Sequence, residues 1–309
     1  GDLARSLDYT HKPLDEQFSQ YGIRQIELDI FVDSEGGRYA NPKAIATVKG
    51  ATRLDDPTGV MAKPGMKVLH VQDIDYQTTV LTLVDALKKI RNWLQKNPTS
   101  VPIMVMLELK QSPVPGFTKP LPFTRADLDA LDAEILSVFE PKDIIRPDDV
   151  RGEFPTLRDS VTTQGWPRLD DVRGKVWFAM DNQGQLPEEY LKDHAGLKGR
   201  ILFVSVDEQH DAAAFMKVND PVANFDKITS LVRSGFVVRT RADAGTKEAR
   251  ENDSSRKAKA LASGAHFVST DYPTPDERLS NYQVRLPGKQ TARPNPISVT
   301  VVSGDTELE

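Results

Sequence analysis

The chain reads as an α/β protein of the TIM-type (β/α)8 barrel class, and three observations predict it. Apolar, β-branched runs of strand length recur along the sequence, each ending in polar residues. Amphipathic stretches of helical period lie between several of them. The polar strand ends carry acids, a histidine and cations, and barrels of this class gather their chemistry on the face where strands end. A chain of 309 residues suffices for one such barrel.

Taken in order, a short helix at Leu14–Gln20 leads into a first strand at residues 22–32. Further strands are expected at 67–71, 103–110, 175–182, 200–206, 236–242 and 266–272. That makes seven, and an eight-stranded barrel needs one more. Leu83, Leu87, Ile90 and Leu94 recur at helical spacing, and Thr124 with Asp127 has the form of a capping box ahead of Leu128, Leu131, Ile135 and Val138. The helical segments 225–234 and 254–263 close on Gly235 and Gly264, in the position that glycine favours after a helix.

Composition narrows the function. Apolar content of 39% and charged content of 28% are those of an ordinary globular protein. A net charge of -5 without a basic cluster argues against nucleic acid as a partner. No apolar run is long enough to span a bilayer. The absence of cysteine excludes thiol catalysis, disulfides and thiolate zinc sites.

Two strands carry the chemistry. In Ile26-Glu27-Leu28-Asp29-Ile30 the two acids lie two apart and share a face, as do Glu108 and Lys110 in Leu107-Glu108-Leu109-Lys110. Three carboxylates on buried strands are costly unless a cation or hydrogen bonds compensate them. Hard oxygen donors without histidine or thiol partners favour Ca²⁺ or Mg²⁺ over zinc or copper. His70 ends the run at 67–71, Asp181 and Asn182 end the fourth strand, Arg239 and Arg241 lie two apart on the sixth, and Thr270 and Asp271 end the seventh. A lysine and arginines beside a cation suit a phosphodiester, and His70 is placed to protonate a departing alkoxide. A second reading stays open at each position: Glu27 and Asp29 as partners of Lys110 or Arg241 in buried ion pairs, His70 as a core histidine, Arg239 and Arg241 as structural. His194, His210 and His266 read as surface or packing residues.

The chain resembles the calcium-dependent phosphatidylinositol-specific phospholipases C of the bacterial and fungal type. The resemblance rests on Leu7-Asp8-Tyr9-Thr10-His11-Lys12-Pro13-Leu14, the strand with Glu27 and Asp29, residues 67–76, Leu107-Glu108-Leu109-Lys110, Val238-Arg239-Thr240-Arg241-Ala242-Asp243 and residues 264–273. It spans residues 3–295, so the chain divides into a barrel at 1–295 and a tail at 296–309. The wider relatives, the glycerophosphodiester phosphodiesterases, share the Glu-x-Asp and Glu-x-Lys motifs. The resemblance implies Glu27, Asp29 and Glu108 as calcium ligands, His70 as general acid, and phosphate contacts from Lys110, Arg241 and Arg239. It implies cleavage of phosphatidylinositol to diacylglycerol and a cyclic inositol phosphate, at a membrane surface, by a secreted monomer. Two other functions compete: a phosphodiesterase on soluble glycerophosphodiesters, and a headgroup-binding barrel without turnover.

One departure stands out. In these families a histidine–asparagine block on the first barrel strand supplies the general base and a further metal ligand, and nothing in this sequence resembles it. The expectation is that this strand lies upstream of Gly1, with His11 as the alternative base. The run at 297–302 is a candidate for the vacant edge, although its sequence does not resemble the block. Two long loops, 33–66 and 111–123, are expected on the active face. In the second, Val114, Phe117, Leu121 and Phe123 either dip into a lipid surface or pack on the barrel top.

Overall fold

The computed structural model describes residues 5–298 and 308–309. Helix α1 (Leu14–Gln20) enters β1 (Gln25–Phe31). There follow β2 (Lys67–Val68), α2 (Leu83–Lys96), β3 (Ile103–Leu109), α3 (Arg125–Val138), β4 (Val176–Met180), α4 (Gln185–Leu191) and β5 (Leu202–Phe203). The chain continues through β6 (Phe215–Lys217), α5 (Phe225–Arg233), β7 (Val237–Arg241), α6 (Ser255–Ala262) and β8 (Phe267–Ser269).

The strands form two sheets, in the orders β2-β1-β3-β4-β5 and β6-β7-β8. A parallel bridge between Ser205 and Phe215 links them. Every pairing is parallel except β1 with β2, which is antiparallel at Ile30↔Val68 and Phe31↔Lys67. Among the described residues seven strands therefore run parallel, the number expected, but their membership differs. The run at 67–71 is not a barrel strand. It is the return of the 33–66 loop across the C-terminal end of β1, with Lys67 turned inward so that its Nζ donates to the carbonyl oxygen of Gly65 at 3.2 Å. An apolar β-branched run carries no sign of direction, so sequence alone made it parallel. The seventh parallel strand is β6, which directly follows a run of alanines and holds no β-branched residue to mark it.

The parallel strands are coated on both faces. Every residue of β3 except Glu108 is buried, the pattern of a strand with helices outside and a packed interior within. Helix α2 begins on the Thr82 hydroxyl, which accepts from the backbone N–H of Asp85, and buries Leu83, Leu87, Ile90 and Leu94. Helix α3 carries the full Thr124–Asp127 capping box. Gly235 sits at φ +94°, where a Cβ would lie 2.1 Å from the carbonyl oxygen of Val161, so glycine is obligatory there.

The sheets curve round a shared interior. The Trp177 ring of β4 meets Phe203 of β5, Phe215 of β6 and Phe267 of β8 at centroid distances of 5.5, 5.8 and 5.5 Å. Between β8 and β1 the described residues form no ladder. Side chains cross there instead: the Ser269 hydroxyl donates to Gln25 Oε1 at 2.7 Å. A cavity of about 990 Å³ occupies this seam and opens at the strand ends, past Asp29 and His70. Its lower wall is apolar, with Trp166, Trp177 and Phe267, and its mouth is polar. Of the strand-like run at 297–302, Ile297 and Ser298 lie in a turn and residues 299–302 fall outside the described residues.

Candidate metal centre and active site

Parallel register builds the centre. Asp29 of β1 lies beside Glu108 of β3, and Glu27 follows two residues before Asp29 on the same face. One carboxylate oxygen from each of Glu27, Asp29 and Glu108 falls within 4.8 Å of the others. Lys110 Nζ lies 3.2 Å from Asp29 Oδ2 and 3.1 Å from Glu108 Oε1. Arg239 reaches from β7 across the seam to Glu27 Oε2 at 3.0 Å. The guanidinium also donates to Ser269 Oγ and Asn219 Oδ1 and is 2% exposed.

These cations do not fully compensate the acids. Burial pushes the Asp29 carboxyl up to about 7 although Lys110 opposes the rise, with Glu108 and Glu27 adding repulsion. Burial also raises Glu27, against the pull of Arg239. Glu27 faces the cavity and keeps 33% of its side-chain surface, so water there relieves part of that burial. Three carboxylates against two ion-paired cations leave a residual negative charge at a point lined by oxygen donors. The donor set fits a hard divalent cation, Ca²⁺ first.

His70 sits where the chain leaves β2. Its Nδ1 is 2.7 Å from Asp75 Oδ2, and its Nε2, at the opposite ring edge, is 3.9 Å from Asp29 Oδ2. The hydrogen bond to Asp75 holds the imidazole above its ordinary value, against partial desolvation. His11, ahead of α1, joins the pocket mouth through Tyr9, whose ring centroid is 5.3 Å from His11 and 6.1 Å from His70. Desolvation first, and the charge of His70 second, hold His11 below its ordinary value. Arg241 Nη2 lies 3.8 Å from Asp271 Oδ2, and burial pushes Asp271 up to about 6.

The structure thus brings Glu27, Asp29, Glu108, Lys110, Arg239, Arg241, His70 and His11 to one cavity. Asp181 instead pairs with Lys217 of the unforeseen strand β6, at 2.8 Å. Sequence reasoning assigned no role to Tyr9 or Asp75. The signal for Asp75 was present, an acid five residues from His70 in a tight polar turn. His194 and His210 make local backbone contacts, to Lys198 O and Ala212 N, and His266 Nδ1 accepts from Val238 N on the neighbouring strand β7. In the 111–123 loop Phe123 is buried and Leu121 packs against the core, which corrects their lipid-facing reading, while Val114 and Phe117 stay half-exposed.

The model of the family "phosphoinositide phospholipase C, Ca²⁺-dependent" matches residues 2–296. The chain belongs to that family. Among solved structures it is similar to a calcium-dependent phosphoinositol-specific phospholipase C from the Gram-negative bacterium Pseudomonas sp., in its apo form and myo-inositol complex. That likeness has a TM-score of 0.55 and 16% identity over 91% of this chain and 90% of the other. It is also similar to a Ca²⁺-dependent phosphatidylinositol-specific phospholipase C from Streptomyces antibioticus, with TM-score 0.55 and 16% identity over 82% and 87%. At that identity these likenesses carry the fold. Among curated proteins none matches the chain. As a calcium-dependent phosphatidylinositol-specific phospholipase C, this phosphodiesterase acts on a lipid substrate, and among the described residues no helix is long and apolar enough to cross a membrane.

Proposed function

We propose that Glu27, Asp29 and Glu108 hold the Ca²⁺ of this phospholipase C, and that the surrounding cations and histidines carry out cleavage of phosphatidylinositol. The observation that carries the reading is the trio itself: three carboxylates converging within 4.8 Å at the mouth of a cavity, undercompensated by their protein partners. When bound, the ion supplies positive charge that lowers the pKa of a substrate hydroxyl and offsets charge on the phosphoryl oxygens.

Lys110 and Arg241 contact the phosphate, as cations at the mouth with side chains part-open to it. Arg239 is too deeply engaged for that task; it orients Glu27. His70 donates its Nε2 proton to the departing diacylglycerol oxygen. His11, held below its ordinary value, is this chain's own candidate for the base that takes the proton of the attacking inositol hydroxyl. Attack by that hydroxyl on the neighbouring phosphorus forms a ring and leaves a cyclic inositol phosphate, with proximity lowering the barrier.

We read the architecture as an incompletely paired (β/α)8 barrel within residues 1–295, working as a secreted monomer. The half-exposed Val114 and Phe117 and the exposed Ile74, on loops beside His70, face the lipid surface. The test is an assay of cyclic inositol phosphate release from phosphatidylinositol vesicles, with and without a calcium chelator, and with soluble glycerophosphodiesters in parallel. Calcium-dependent release from vesicles alone is expected. Turnover confined to the soluble diesters, or headgroup binding without turnover, would overturn the reading.

A further inference from the structure

Beyond the acids and the histidine, the turn that follows His70 is built with unusual definition. Val71 and Asp75 exchange both backbone hydrogen bonds, Val71 N to Asp75 O at 3.0 Å and Asp75 N to Val71 O at 2.9 Å. Between them Asp73 adopts φ +73°, a left-handed conformation that aspartate tolerates and most residues avoid. Its carboxylate, only 4% exposed, accepts from the Lys43 N–H at 3.1 Å, the Thr118 hydroxyl at 3.1 Å and the Thr118 N–H. Gln72 Nε2 donates to the Thr118 carbonyl oxygen at 3.3 Å. Both long loops therefore clamp this turn from either side. Half-exposed histidine–carboxylate pairs are ordinarily loose, because both side chains must be held in place. Here the backbone beneath both partners is already fixed.

We propose that Asp75 is the positioning residue of His70: its carboxylate accepts the Nδ1–H bond, so that Nε2 is the atom presented to the reacting phosphate. This rests on the reading of His70 as the general acid. The ring geometry gives the contact its consequence, since Nε2 then points toward Asp29, at 3.9 Å, on the metal side of the pocket. As the phosphorus–oxygen bond to diacylglycerol breaks, the Nε2 proton passes to the departing oxygen. The imidazole is left neutral, with its remaining proton on Nδ1 and still bonded to Asp75. Among the described residues the Asp75 carboxylate is the hydrogen-bond partner of the ring, and Asp29, at 3.9 Å from Nε2, is too distant to fix which nitrogen keeps the proton. The Tyr9 ring, 6.1 Å away, borders the imidazole without bonding to it.

Kinetics and imidazole spectra test the proposal together. On phosphatidylinositol vesicles with calcium, Asp75→Ala is expected to lower kcat by at least about 10-fold and by no more than the ~10²–10⁴-fold that a positioned proton donor supplies, with little change in KM. The loss should shrink on an inositol aryl phosphodiester, whose leaving group needs no proton. Asp75→Asn, whose amide oxygen still accepts from Nδ1–H, should recover part of the rate. In a His70→Ala background, Asp75→Ala should cost nothing further, because a residue that acts only through His70 has nothing left to position. Equal losses on both substrates, adding to those of His70→Ala, would overturn the proposal in favour of a structural role. Imidazole ¹⁵N spectra of the full chain read the same contact without turnover. His70 should be the Nδ1–H tautomer when neutral, and a tautomer mixture in Asp75→Ala. If the wild-type chain fails to cleave phosphatidylinositol, the proposed function falls and the spectra still decide: an unchanged tautomer in Asp75→Ala overturns the positioning role.

Discussion

Lys110 and Arg239 at first sight remove the need for a metal, because each acid already has a cation within ion-pair distance. The balance says otherwise. An ammonium 3.2 Å from a carboxylate should depress its pKa, yet Asp29 is raised to about 7, so burial and neighbouring acids outweigh Lys110. A divalent ion would reverse that sign. His70 gives a prediction at the same scale: His70→Ala should lose ~10²–10⁴-fold in kcat on phosphatidylinositol and much less on an aryl leaving group. Equal losses, measured by steady-state kinetics on both substrates, would mark His70 as structural. The convergence of Glu27, Asp29 and Glu108 was legible in the sequence because period-2 spacing places acids on one strand face whatever the rest of the fold does. Tyr9 was not, since its place depends on where an N-terminal segment folds back, and Asp75 offered only its spacing of five residues from His70.

The elements that position the site owe their form to local rules, and these were the most legible features. The capping box at Thr124 and the glycine stops at Gly235 and Gly264 all stand where the pattern put them. Strand direction and one short strand were hidden: residues 67–71 look like any buried strand, and β6 carries no β-branched residue. Away from the site, α3 and α4 are joined through Asp132, whose carboxylate accepts from the Tyr190 hydroxyl at 2.6 Å and from Arg200 at 3.2 Å. Burial nonetheless pushes Asp132 up to about 6. A raised folded-state value means that this group's contribution is fully present below its unfolded value, near 4, and is lost as pH rises through 6. Denaturant unfolding of wild type and Asp132→Asn should show the wild type's relative stability falling between about pH 4 and pH 6 and levelling above. A stability difference that does not change over that range would refute the assignment.

For the molecule as a whole, the seam between β8 and β1 decides the site's character. There the described residues form no ladder, a cavity of about 990 Å³ enters, and Arg239 and Ser269 bridge to β1 by side chains. The sequence count of seven parallel strands equals the number among the described residues, although its membership differed, since it counted 67–71 and omitted β6. The opening exposes the acids to water and substrate while the Trp177 cluster keeps the lower interior packed.

The central claim is that Glu27, Asp29 and Glu108 form a calcium site, and thermal unfolding of the full chain tests it most directly. The unfolded chain lacks the site, so calcium must stabilise the fold by mass action, by about 2.7 kcal/mol at a hundredfold excess over Kd. The melting temperature of the wild type should rise in millimolar calcium relative to chelator, and Glu27→Gln and Asp29→Asn should each abolish the rise. An unchanged wild-type melting curve, or a rise that survives both substitutions, would contradict the account.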